Sequence, residues 1–472
     1  MYRKRRYRRK SSKPQKLALI GIAAAVTIGA FLTLLNIEKQ IDADSASSVQ
    51  ESKSSSSEVK AIPVTDTAGP EKIALVSGEV TTDDGVKLPD EIRQLLLDYT
   101  SDKYEYMGEL EYKSLSQYFN TDNTYGKLYA GFCNTSLQYL IYERQSRSAD
   151  LSYDEASFAI NVESAAVKKG IYTINYTISE KVSFAICDTP AMSCGMEVEA
   201  QVSKGTDGKY KFDILAEDTD VNLLIEERVM NYLGYDFDEY YLKDMKIPDN
   251  TDYDKMYSGI LKTLKSEAET NIAEQEQMLS DYNASPDSFK TTKTAKHKYD
   301  RDKAVAYSYK WVDSEKVIRN PAYSDYAVYG GNCQNYVSQA LFASGIPMDW
   351  NGDQQWKWFD DEGDLSESPT GRSGSWSGTE YFYEYCNKNT GKGIVAETDG
   401  NIFSAQPGDV IQYVVDGWAH HSVIVTKVIY DDNGNVVDLL INSNTTDRVD
   451  YPMSAYGYTD IRLIRIIGYN DK

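Results

Sequence analysis

The residue patterns predict an α+β protein built from more than one domain, and three observations carry that prediction. The chain has 472 residues, too many for a single hydrophobic core. It passes twice from helical periodicity into strand-like segments, over about 89–245 and again from 294 to 472. A polar helical stretch separates the two passages.

Residues 1–16 hold nine Lys/Arg and no acid, and read as a basic cytoplasmic tail. Residues 17–35 follow without a charge, long enough as a helix to span a hydrocarbon core of about 30 Å. The basic flank orients this segment as a single-pass anchor, so the body is expected outside the cell membrane, with the membrane contacted through this N-terminal helix. A cleavable signal peptide is the alternative. Residues 36–88, Ser-rich around SASSVQESKSSSSEVK, read as a flexible linker. Beyond residue 16 the chain holds 41 basic against 72 acidic side chains. Such a body repels phosphate, so a nucleic-acid partner is not expected.

In the 89–245 segment, helical runs at Glu91–Tyr99 and Lys127–Arg144 precede strand-like runs at Ala156–Val162, Gly170–Cys187, Cys194–Ser203 and Lys209–Leu215. Helices followed by a curved antiparallel sheet resemble the cone-shaped NTF2-like folds, which implies a spacer or a binding module. Residues 246–293 form a helical connector. Met256, Ile260 and Leu264 give its helix a modest stripe, and its Glu-rich remainder reads as solvated.

The 294–472 segment carries the chemistry. Gly330-Gly331 end an irregular stretch, and Cys333 opens a run with Tyr336, Val337, Ala340 and Leu341 at helical spacing. In a first helical turn, unpaired N–H groups and the helix dipole favour a thiolate, the form that attacks carbonyl carbon. A buried core cysteine is the commoner fate of an isolated Cys. Strands are predicted at Gly408–Val415, His421–Tyr430, Asn435–Asn444 and Ile461–Gly468. If Asp431–Gly434 form the turn of the middle hairpin, His421 faces Asn444 directly. If Asn433-Gly434 alone form it, the two are diagonal on one face. His420 and Asp447 would share the opposite face equally well. Five cysteines are too few for a disulfide scaffold, although Cys187 and Cys194 could bridge in an oxidising compartment. The chain has no CxxC pair and only three histidines, so neither a metal site nor a cofactor is expected.

These pieces resemble the putative amidase domain family, which belongs to the papain-like, NlpC-type cysteine hydrolases and is related to the CHAP domains. The resemblance spans about Tyr299–Ile467. It rests on Ala304-Val305-Ala306-Tyr307, Asn320-Pro321-Ala322-Tyr323, Gly331-Asn332-Cys333-Gln334-Asn335-Tyr336-Val337-Ser338-Gln339, Ser375-Trp376, Gly408-Asp409-Val410-Ile411-Gln412-Tyr413 and His421-Ser422-Val423-Ile424-Val425-Thr426. It implies a papain-like fold for this domain and amide-bond cleavage through an acyl-enzyme. In that scheme Cys333 is the nucleophile, His421 the general base and Asn444 the orienting third residue. The implied substrate is a peptide or peptidoglycan-type amide. Two positions depart from the family pattern, Asn332 where Asp is common before the cysteine and Asn444-Thr445 where His-Thr is frequent. Asn332 is an expected oxyanion donor beside the Cys333 N–H. Among Trp350, Trp356, Trp358 and Trp376, the groove candidates for substrate binding are Trp356 and Trp376. The rival expectation, from another functional class, is a catalytically silent surface-binding module on the same fold.

Overall fold

A computed structural model describes residues 74–235, 241–327, 330–351, 355–358 and 372–471. The basic tail, the apolar stretch 17–35 and most of the Ser-rich segment lie outside the described residues. Among those described, no helix is long and apolar enough to cross a membrane.

The N-terminal half comprises β1 (Leu75–Thr82), α1 (Asp90–Glu109), α2 (Thr124–Gln145), β2 (Tyr153–Lys168), β3 (Ile171–Phe184), β4 (Ala191–Lys204), β5 (Tyr210–Glu217) and α3 (Asp220–Leu233). The expected helices and strands are present, most of them longer than their patterns suggested, while the run expected over Gly170–Cys187 is the shorter β3. In α1, Ile92, Leu95, Leu96 and Tyr99 repeat at three- and four-residue spacing and are buried. Asn123 caps α2 by accepting the Gly126 N–H at 2.7 Å. Irregularities interrupt the β2–β3, β3–β4 and β4–β5 ladders, the feature that bends long antiparallel strands. One expectation is corrected: the flexible linker does not reach residue 88. Leu75–Thr82 is a strand, paired in parallel with Glu155–Val162 of β2. Local composition could not reveal it, because its partner lies some eighty residues away.

A long helix, α4 (Tyr253–Ala284), follows, 32 residues or about 48 Å. Its buried stripe does not stop at Leu264 but continues through Ala268, Ile272, Gln275 and Leu279. The helix is therefore a strap packed along the body rather than a solvated connector. Gln275 shows why. Its Oε1 accepts from Arg147 Nη1 at 2.8 Å, and Arg147 also pairs with Glu143 at 3.1 Å. Its Nε2 donates to the Thr459 carbonyl in the C-terminal half.

The C-terminal half contains α5 (Arg301–Lys310), α6 (Cys333–Ala343), the single turn α7 (Gly374–Ser377), α8 (Thr379–Lys388), β6 (Gly393–Thr398), β7 (Val410–Val415), β8 (Trp418–Tyr430), β9 (Val436–Ser443), β10 (Asp447–Pro452) and β11 (Asp460–Asn470). The sheet runs β1-β2-β3-β4-β10-β9-β8-β7-β11-β6, with β5 also on β4. The two halves thus share one sheet. The second edge of β4 is divided: Val198–Lys204 pair with β5, while Met192, Ser193 and Cys194 pair with Val449, Arg448 and Asp447 of β10. The described residues cluster as one compact unit.

Replacing Gln275 with alanine should lower the unfolding free energy by about 2–3 kcal/mol, because two buried partners lose their hydrogen bonds. Urea denaturation measures this. Gln277→Ala, exposed on the same helix, should stay within about 0.5 kcal/mol of wild type.

Candidate functional site

Cys333 is the first residue of α6 and is buried. The chain reaches it through Gly330 and Gly331 at φ +116° and +149°, a region where a side chain would be strained. Asn332 anchors this entry. Its N–H donates to Thr445 Oγ1 at 2.8 Å. Its Oδ1 accepts from the Tyr326 N–H at 3.0 Å and from Asn335 Nδ2 at 2.8 Å. Its Nδ2 donates to Asn444 Oδ1 at 2.7 Å. Asn332 therefore builds the loop that presents the cysteine, which differs from the oxyanion role expected of it.

His421 sits on β8 opposite Tyr413 of β7, and a bulge follows immediately, since Val414 pairs with Ala419. The extra residue is His420. A bulge of this kind re-aims one side chain relative to the next, and here the two histidines part: His421 is buried, while His420 is half-buried. Helix α6 packs on β8. His421 Nε2 lies 2.7 Å from Tyr456 Oη, in the turn after β10, with the two rings stacked at 5.1 Å. Burial pushes the Tyr456 phenol well above the ordinary tyrosine range. Arg448 pulls it back, while Asp220 and Cys333 add to the rise, which puts Cys333 within electrostatic reach of that hydroxyl.

Asn444 is not paired opposite or diagonal to His421 in the ladder, as the two expected turns required. The β8–β9 loop is five residues long, Asp431–Asn435, with Tyr430 paired to Val436. The Asp431 carboxylate accepts the N–H groups of Asn433 and Asn435, at 2.9 and 2.8 Å, which stabilises the longer turn. Near the site Ile424 pairs with Asn442, the last pair of this ladder, and β9 ends at Ser443, so Asn444 lies in the turn between β9 and β10 and not in the ladder opposite His421. The Asn444 amide instead serves the loop that enters α6: Oδ1 accepts from Asn332, and Nδ2 donates to the Trp311 carbonyl at 3.4 Å.

Trp356 and Trp376 are both fully buried, their rings 4.9 Å apart, and so are core residues rather than groove walls. Their indole N–H groups brace α6, Trp356 donating to Ser338 Oγ at 3.0 Å and Trp376 to Asn335 Oδ1 at 2.8 Å. Aromatic character gave no means of separating a wall from a core. All five cysteines are free, including Cys187 and Cys194. Burial pushes the thiols of Cys133 and Cys187 up to about 12, and those of Cys194 and Cys386 upward too. No group of three or more His, Cys, Asp or Glu suited to a metal ion occurs among the described residues. Tyr456 is the site residue that sequence reasoning missed. It stands 35 positions beyond His421, in a segment with no motif to mark it.

Residues 298–467 match the family model described as putative amidase domain. That span holds Cys333, His421, Asn444 and Tyr456, and assigns this region to an amidase-type domain, a class acting on amide bonds. The chain is also 26% identical over 239 residues to a Bacillus subtilis protein described as "Uncharacterized protein YhbB", an alignment covering 50% of this chain and 64% of that relative. The chain therefore spans somewhat less than two thirds of that relative's length. No solved structure matches the chain.

Trp376→Ala should cost about 3–5 kcal/mol of stability, as expected for a buried indole and not for a groove wall. Trp350, about 42% exposed, should tolerate the same change with a loss under about 1 kcal/mol. Thermal or denaturant unfolding of the two variants separates these readings.

Proposed function

We propose that this chain is a cysteine-dependent amidohydrolase, held at the cell membrane by residues 17–35 with its body outside, acting on peptide amides of the cell-wall type. The observation that carries the reading is the placement of Cys333. It opens α6, a helix packed on the strand that bears the buried His421, inside a region matching an amidase domain. Papain-like ordering of the helix and strands belongs to the same proposal, as does an NTF2-like reading of the N-terminal half.

The chemistry follows from the residue types. His421 takes the Cys333 proton, and the thiolate attacks the amide carbonyl carbon. The Cys333 N–H and neighbouring N–H groups at the start of α6 are suited to bind the developing oxyanion. The tetrahedral adduct collapses by breaking the C–N bond, and the imidazolium gives its proton to the departing amine. Water, deprotonated by His421, then cleaves the thioester, releasing the acid and restoring the thiol. The acidic body would carry a Ser-rich tether between it and the bilayer, giving the site reach into a wall polymer.

The test offers muropeptides and simple peptide amides to the protein lacking residues 1–73 and follows products by mass spectrometry. Wild type should release an amine and pass through a hydroxylamine-sensitive adduct on Cys333. Cys333→Ala should lose at least about 10³-fold in turnover. Alkylation by iodoacetamide gives a substrate-free check: at pH 6–7 Cys333 should react while Cys133, Cys187 and Cys386 stay silent, because burial holds those thiols protonated. A Cys333 that never reacts, or that titrates like a free thiol of pKa about 8.5, would sink the hydrolase reading in favour of a binding module.

A further inference from the structure

We infer that the groove between α2 and the first turns of α4 binds an uncharged polyhydroxyl ligand, a segment of glycan strand. The groove measures about 730 Å³, within the range of about 300–1,000 Å³ usual for ligand sites. Its lining residues all fall between Ser116 and Leu261, outside the region that matches the amidase domain. Lys127, Gly131, Asn134 and Gln138 recur every three or four residues and set one face of α2 toward it. Asp254, Ser258 and Leu261 do the same on α4. The helices meet at Gly131, where an added Cβ would clash with the Tyr257 ring, so the glycine sets how closely they approach.

The chemistry of the lining selects the ligand. Five of its hydroxyl groups give their protons to backbone carbonyls of the protein: Thr135 to Gly131 at 2.7 Å, Tyr257 to Leu128 at 2.6 Å, Thr251 to Pro248 at 2.8 Å, Ser258 to Lys255 at 3.2 Å and Tyr253 to Thr124 at 3.4 Å. A carbonyl only accepts, so what these oxygens can offer a ligand is lone pairs. Asn134 is committed too, accepting the Leu115 N–H and donating to the Ala130 carbonyl and Ser116 Oγ. The groove is thus preorganised and rich in acceptors. A matching ligand brings several O–H donors close together, as a sugar ring does, whereas a peptide backbone brings one N–H per residue. Gln138 is half-buried and has no partner among the described residues, which leaves its amide to read a hydroxyl or an acetamido group. The charged lining is one cation, Lys127, against Asp252 and Asp254, and Asp252 caps α4 by accepting the Lys255 N–H at 3.0 Å. No single sign dominates, which disfavours a polyanion or a polycation.

The polyol class rests on the groove alone, while the choice of a wall-type glycan among polyols rests on the preceding reading of the function. A wall polymer joins peptide to glycan. A body that holds the sugar strand in one half and meets the peptide with the other engages the same polymer twice, and the second contact becomes intramolecular.

The experiment titrates chitotetraose, cellotetraose and tetralysine into the full chain, held in a sugar-free zwitterionic detergent, and reads binding by isothermal calorimetry. Chitotetraose should bind with a Kd on the order of 0.1–1 mM, and cellotetraose, which lacks the acetamido groups, more weakly. Gln138→Ala and Ser258→Ala should each weaken chitotetraose about three- to tenfold, as for the loss of one hydrogen bond, with melting unchanged. Gln277→Ala, exposed far along α4, should bind as wild type. Binding of cellotetraose without chitotetraose keeps the polyol groove and overturns the wall assignment. Binding of tetralysine alone, of no probe, or of a sugar that the Gln138 and Ser258 variants take as tightly as wild type overturns the groove. The readout is binding and not turnover, so the groove and the hydrolase reading stand or fall separately.

Discussion

The turn between β9 and β10 is the constraint on which the site depends. Within Ser443–Thr446 it touches both halves of the proposed chemistry. Thr445 Oγ1 accepts the Asn332 N–H, which sets the loop entering α6, and Asn444 Oδ1 holds the Asn332 amide. Ser443 reaches the Tyr456 phenol on the histidine side. Thr445 adopts φ +112°, an uncommon conformation for a β-branched residue. Such a residue persists only where its surroundings over-determine it, and here three consecutive side chains are bonded to other elements.

That turn is not supported by the amidase-type region alone. β10 leaves it directly, and β10 is paired on its outer edge to β4 of the N-terminal half through Asp447, Arg448 and Val449. Arg448, the residue over the Tyr456 ring, therefore stands on a strand whose position both halves determine. Buried Asp447 pairs with Arg319 at 2.9 Å, tying the same strand to the segment ahead of α6. α4 adds a second tie, with Gln275 bonded to Arg147 in one half and to Thr459 in the other. The N-terminal half is in this sense part of the scaffold of the site, whatever else it binds.

The polar side chains of α6 show how the Cys333 thiol is presented on a rigid base. Asn335, Ser338 and Gln339 are all buried, and each is bonded to another element: Trp376 to Asn335, Trp356 to Ser338, Tyr307 to Gln339 at 2.7 Å. A buried amide or hydroxyl without a partner is costly, so each bond also fixes the rotation of the helix about its axis. Cys333, at the end of that helix, inherits a defined direction.

What the sequence determined by itself was local and periodic. The helical run after Cys333, the apolar runs that make β7 and β8, and the helices of the N-terminal half follow from composition, spacing and capping, which act within a few residues. Cys333 and His421 were legible as the candidates on which the proposed chemistry rests, because one opens a helix and the other lies on a following strand. The tertiary structure alone decided the rest. Two irregularities in the β8–β9 ladder, between Ile429 and Tyr430 and between Val425 and Lys427, changed the register that either short turn would have set toward Asn444. Tyr456 came to His421 through the sheet, not through any spacing between them. The parallel pairing of β1 and the sharing of β4 between β5 and β10 depend on strands far apart in the chain. Burial of Trp356 and Trp376 likewise followed from how α6 packs, which aromatic composition does not encode.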